Sequence, residues 1–248
     1  MIYIILGMHK SGTTMLSETL HKSGINMGDF DESLNYYGGQ KYERVDISHA
    51  IWDVLDCREK HSSETIPPFS QETILSNIDN LKQLIHEHDI SYQDWGYKEP
   101  RTIFVYDYLS SSTPEHKIIC VYRHPYNVVL HYLQFKLRLK KALKALKAWK
   151  AYNEKMIDIV HATDQEYILL NYNDFVKKKN SVKILSDFVG INLKDLRKPK
   201  TKRVTLKVYL QKQVANLIMT LNPYDWRHTY KKLEQLYLNQ NSKYYQKV

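Results

Sequence analysis

The chain has 248 residues, 43% hydrophobic and 25% charged, with 8 Gly and 7 Pro, a balance that suits one sizeable globular core over 1–248 and excludes a disordered or fibrous chain. Its apolar runs are only a few residues long, which excludes a bilayer-spanning segment, and the short apolar N-terminal stretch does not make a signal peptide, so a cytoplasmic protein is expected. The net charge of +9 calls for an anionic partner but does not choose among nucleic acid, an acidic membrane, an acidic glycan and a phosphorylated cofactor.

IYIIL, residues 2–6, is short, β-branched and apolar throughout, the pattern of a strand buried between two helical layers. GMHKSGTT, residues 7–14, follows directly. Gly7, Gly12 and Thr14 satisfy the phosphate-loop spacing G-x-x-x-x-G-K-[ST], but Thr13 stands where the phosphate-reaching lysine belongs and the lysine comes three residues earlier, as Lys10. Met15, Leu16, Leu20 and Ile25 then recur at helical spacing, with Gly24 as a stop signal. A glycine turn between strand and helix aims backbone N–H groups and the positive end of the helix dipole at one point, which makes an anion site.

Between Asp29 and Gln71 the pattern breaks into turn-rich stretches, SLNYYGGQ and HSSETIPPFS, around a helical piece at RVDISHAIWDVL. WGYK (95–98), KIICVY (117–122) and YILLNY (167–172) read as further strands. Strands alternating with helices predict a three-layer α/β sandwich, a central parallel sheet flanked by helices, of the P-loop nucleotide-kinase-like kind. KLRLKKALKALKAWK (136–150) predicts a basic helix with Leu139, Leu143, Leu146 and Trp149 on one stripe. Cys57 and Cys120 lie far apart without metal-ligand spacing, so neither disulfide nor zinc is expected.

These residues resemble the sulfotransferases that use 3′-phosphoadenosine 5′-phosphosulfate (PAPS). Lys10-Ser11-Gly12-Thr13-Thr14 matches their first motif, K-S-G-T-T, residue for residue. Their second motif, a strand ending in R-x-P with a serine eight residues after the arginine, is matched by Arg123 and Pro125, with His131 in place of the serine. A third, tyrosine-containing strand end is matched loosely by Tyr172-Asn173-Asp174-Phe175, and VKILSDFVGI resembles the helix that closes the fold. The resemblance implies that Lys10, Ser11, Gly12, Thr13 and Thr14 hold the 5′-phosphate, with Lys10 also catalytic. It implies that Arg123 and His131 meet the 3′-phosphate, that Tyr172 lies against the adenine, and that Arg197 and Lys198 close over the nucleotide. No metal is called for, because protein cations offset the charge that develops.

For the acceptor hydroxyl the resemblance leaves a choice of base. Small-molecule members use a histidine two residues after a lysine, but WGYKEPRT has Lys98 followed by Pro100. Carbohydrate-modifying members use a glutamate after the first helix, which favours Glu43, with Lys98 as a second cation. Glu99 is the rival, and Arg101 is expected to contact anion or acceptor. The implied reaction is sulfuryl transfer from PAPS to a hydroxyl of a small molecule or glycan, with the lysines of 136–150 suited to an acidic glycan. The alternatives are a nucleotide or small-molecule kinase, disfavoured by Thr13 and by Arg123 where a magnesium-binding aspartate would stand, and a nucleic-acid-binding protein, for which no reading motif is found.

Overall fold

The computed structural model describes residues 1–29, 42–58, 63–67, 70–133, 138–197, 206–222 and 224–245. SLNYYGGQ, parts of HSSETIPPFS, the first residues of the basic run, and Lys198 with most of the segment around it lie outside the described residues.

Four parallel strands, β1 (Ile2–Leu6), β2 (Trp95–Lys98), β3 (His116–Tyr122) and β4 (Tyr167–Asn171), form a sheet of order β2-β1-β3-β4. β1 is buried on both faces: Ile2, Ile4 and Leu6 enter one hydrophobic cluster, Tyr3 and Ile5 the other. The second cluster packs under α1 (Thr13–Lys22) and α8 (Ser181–Val189). The first lies under α2 (Val45–Val54), α3 (Gln71–Ser91), α4 (Thr102–Leu109), α5 (Pro125–Leu133) and α6 (Leu139–Ala162), with α9 (Leu206–Leu221) and α10 (Trp226–Tyr245) further along the chain. The sheet between two helical layers is the expected α/β sandwich. The fourth strand ends one residue earlier than expected, because Asn171 turns the chain: its side chain accepts from the backbone N–H groups of Asn173 and Asp174 and caps α7 (Tyr172–Lys177).

From β1 the chain crosses to β2 on one side, and from β3 to β4 on the other. The C-terminal ends of β1 and β3 therefore flank the point where strand order reverses, the crevice that open α/β sheets use for ligands. Gly7 is required there, since a Cβ would stand 2.5 Å from the Val121 carbonyl oxygen.

The basic helix departs from its expected stripe. Leu139 and Leu143 are 49% and 42% exposed, and the buried line runs through Ala142, Ala145, Leu146, Trp149, Tyr152 and Met156. Alanines at the contact let α6 lie close to its neighbours, so the small residues face inward and two of its three leucines face out. Among the described residues three of its lysines are ion-paired, Lys141 with Glu64, Lys150 with Glu154 and Lys155 with Asp107. Among the described residues no helix is long and apolar enough to cross a membrane.

Candidate functional site

Each of the four strands delivers residues to the site from its C-terminal end. After β1, Lys10 takes a left-handed conformation (φ 68°) and Gly12 another (φ 104°), and the Ser11 N–H turns back onto the Met8 carbonyl at 3.2 Å. Gly12 is the N-cap of α1 and no side chain caps that helix, so the first N–H groups of α1 remain available to an anion. The Ser11 hydroxyl is fully buried without a hydrogen-bond partner, which costs free energy unless a ligand completes it. The Lys10 ammonium has no ion pair among the described residues.

After β3, Arg123 donates from one terminal nitrogen to the Lys10 carbonyl at 3.1 Å, which ties the second motif to the first. Its guanidinium lies 4.6 Å from the centre of the Tyr172 ring, and its buried Nε has no partner. Tyr172, the first residue of α7 after β4, packs its ring against Gly12, where a Cβ would come within 2.0 Å of Cδ2. Tyr172 thus props the loop and the arginine together. Trp149 of α6 donates its indole N–H to the Arg123 carbonyl at 2.8 Å, so the buried stripe of the basic helix fixes the second motif from behind.

At the end of β2, Lys98 is buried, forms an ion pair with Glu43, and lies 3.5 Å from the Thr14 hydroxyl. Glu43 is clamped on both sides. Before it, Tyr42 (φ 60°) accepts from the Ser17 hydroxyl of α1 at 2.7 Å. After it, Arg44 donates to the Gly96 carbonyl at 3.1 Å and to the Asn26 carbonyl at 3.0 Å. Burial pushes the Glu43 carboxyl up to about 7 against the pull of Lys98, with nearby Glu99 raising it further. Burial likewise lowers the Lys98 ammonium, against the opposing attraction of Glu43. Both members of the pair are driven toward neutrality because desolvation outweighs their mutual attraction.

Glu99 has a different environment. It accepts from the Arg101 guanidinium at 2.9 Å, the Arg101 backbone N–H, and the Trp52 indole at 3.2 Å. Arg101 and Glu99 are each 1% exposed. This buried pair joins the start of α4 to α2, and three hydrogen bonds already fall on the Glu99 carboxylate.

Two further residues from the resemblance stand on other elements. His131 is in the last turn of α5, six residues along from Pro125 and so about 9 Å of helical rise away, with its ring edge-on to Tyr132. Arg197 uses all five N–H donors on Asp195 and on the carbonyls of Phe175, Lys178 and Lys179. It closes the C-terminal end of α7, where unsatisfied carbonyls attract a cation, and has no donor left for a nucleotide phosphate. Sequence reasoning missed Ser17, Asn26, Arg44 and Trp149 as the residues that position the site; their contacts are long-range and carry no local motif.

Residues 3–195 match the sulfotransferase family. No curated protein sequence matches. Solved structures that are similar include the sulfotransferase domain of an olefin synthase from Synechococcus PCC 7002, with 17% identity over 86% of this chain and 93% of that one at a TM-score of 0.51. Another is the sulfotransferase domain of the curacin biosynthetic pathway, with 16% identity, 95% and 96% coverage and a TM-score of 0.51. The sulfotransferase STF1 of Mycobacterium tuberculosis H37Rv follows, with 12% identity, 94% and 75% coverage and a TM-score of 0.51. The structural likenesses speak for the fold, and the family match extends over the β1 loop, the ends of β2 and β3, and the β4 turn: this chain belongs to the sulfotransferase family.

Proposed function

We propose that the protein transfers a sulfuryl group from PAPS to an acceptor hydroxyl. The observation that carries the reading is the uncapped N-terminus of α1 with a buried, unpartnered Ser11 hydroxyl, flanked by Lys10 and Lys98. These groups fit the 5′-phosphosulfate end of the donor: N–H and hydroxyl donors for the phosphate, two cations for the charge. The donor, when bound, supplies an S–O bond to its phosphate that breaks as the acceptor oxygen bonds to sulfur, the electron pair returning to the phosphate oxygen.

Within this reading Ser11, Gly12, Thr13 and Thr14 hold the 5′-phosphate, and Lys10 and Lys98 stabilise the negative charge that grows on its oxygen, an interaction stronger in the transition state than in the ground state. Arg123, with its unpartnered Nε, receives the 3′-phosphate. Tyr172 acts mainly as the prop beneath Arg123, and Arg197 is left out of the donor contacts because its donors are engaged. Glu43 takes the acceptor proton. Its proton affinity near neutrality suits a general base, and it borders a small cavity with Val45, Ser48, His49 and Trp52. A carbohydrate acceptor is supported by a glutamate in this position.

Calorimetry with adenosine 3′,5′-bisphosphate, AMP and ATP, together with transfer of label from PAPS to a panel of hydroxyl acceptors, tests the reading. Selective binding of the bisphosphate with labelled product is the expected result; preference for ATP would favour the kinase alternative.

A further inference from the structure

Lys98 stands between two places for negative charge. On one side is Glu43, its buried ion-pair partner; on the other, Thr14 lies 3.5 Å away in the turn where an anion would meet the start of α1. A single ammonium has three donors but one charge. We infer that Lys98 is shared in this way by design: a phosphate or phosphosulfate bound at the loop draws it from Glu43, so the base is strengthened only when the donor is in place. The inference rests on the donor reading above and adds the coupling between donor occupancy and acceptor deprotonation.

The charged groups around Glu43 come from four elements, and Lys98 is the one an anion at the loop would reach. Lys98 at the end of β2 is the nearest, Glu99 and Arg101 in the turn to α4 are held by each other, Lys10 acts on Lys98 from the loop, and His49 of α2 borders the same cavity. With the loop empty, Lys98 stabilises the Glu43 carboxylate and blunts it as a base. An anion at the loop weakens that attraction and adds a like charge nearby, and both effects raise the proton affinity of a buried carboxylate. Charge then balances through the reaction. The acceptor O–H bond breaks and its proton goes to Glu43, the acceptor oxygen bonds to sulfur, and the electron pair of the broken S–O bond remains on a phosphate oxygen already facing Lys98. Acceptor deprotonation without a donor present is thereby disfavoured.

The test measures protons, not turnover. Adenosine 3′,5′-bisphosphate is titrated into the protein by calorimetry near pH 8 in buffers of different ionisation heat. At that pH the nucleotide's phosphates are already ionised, so its own groups do not take up protons on binding. The expected result is uptake of a fraction of a proton per bisphosphate bound, the carboxylate that remains being the form that acts as base. Uptake is absent in Glu43→Gln, and in Lys98→Met, where the buried carboxyl has lost its cation and is protonated before the anion arrives. His9 and His131 are retained in both variants, so uptake by either would persist. Cooperative melting of both variants establishes that they are folded, and if one is not, the other decides. Tight binding with no uptake, or with uptake unchanged in the variants, overturns the coupling while leaving the donor reading intact. Failure of the bisphosphate to bind at all overturns the donor reading, and the coupling with it.

Discussion

Glu43 and Lys98, 55 residues apart in the chain, meet as a buried ion pair beside the loop that follows the first strand. Their separation is set by backbone anchors. Arg44, next to Glu43, bonds to the carbonyl of Gly96 in the strand that ends at Lys98, so the glutamate is registered against β2 even though it comes from a turn-rich part of the sequence.

That placement leads to the first prediction. Glu43→Gln keeps size and hydrogen bonding but cannot accept a proton, and turnover should fall by roughly 10²–10⁴-fold, the usual contribution of a general base, while bisphosphate binding is retained. Glu43 acts when deprotonated and its carboxyl is held near 7 in the ligand-free protein, and a bound donor raises it further, so the wild-type rate should decline as pH falls toward neutrality, from a point above that value. The pH profile of kcat/KM for the acceptor checks this; a profile identical in wild type and variant would remove Glu43 from the role.

Glu99 should behave in the opposite manner. Glu99→Gln leaves the buried Arg101 without its counter-charge, a change that costs about 3–5 kcal/mol of stability when a buried pair is broken from one side. Denaturant unfolding should register that loss, and the folded fraction should still turn over. Full stability with abolished turnover would instead make Glu99 the base.

Arg123 is tied to the loop through the Lys10 carbonyl yet keeps an unpartnered Nε. Arg123→Ala should weaken adenosine 3′,5′-bisphosphate by about 1.5–3 kcal/mol, roughly 10- to 150-fold, the range for losing a charged hydrogen-bond partner. AMP, without a 3′-phosphate, should be almost unaffected. Titration of both nucleotides against both proteins decides; equal losses would mean that the substitution disturbs the loop rather than a phosphate contact.

Lys10→Ala should lower turnover more than donor affinity, because a cation facing the bridging oxygen gains most as that oxygen becomes charged. Single-turnover rates compared with bisphosphate affinity separate the two effects. A loss confined to affinity would make Lys10 a binding residue only.

The local elements were legible in the sequence because they depend on local rules. An apolar β-branched run, a loop with glycines at fixed positions and a helix-period pattern identify β1, the anion loop and α1 from neighbouring residues alone, and the R-x-P step located Arg123. Burial of both sheet faces followed from the absence of polar alternation in IYIIL. Tertiary structure alone decided what those elements do to one another. Strand order brings the end of β2 beside the β1 loop and so joins Lys98 to Glu43. Close packing places Tyr172 against Gly12 and beneath Arg123, and helix-end carbonyls capture Arg197. The same holds for the basic helix, where the periodicity of Leu139, Leu143, Leu146 and Trp149 indicated a stripe but the alanines determined which face could approach the core. A sequence pattern specifies which residues can be buried together; only the assembled sheet sets which distant charges share the same buried volume, and desolvation there gives Glu43 its proton affinity.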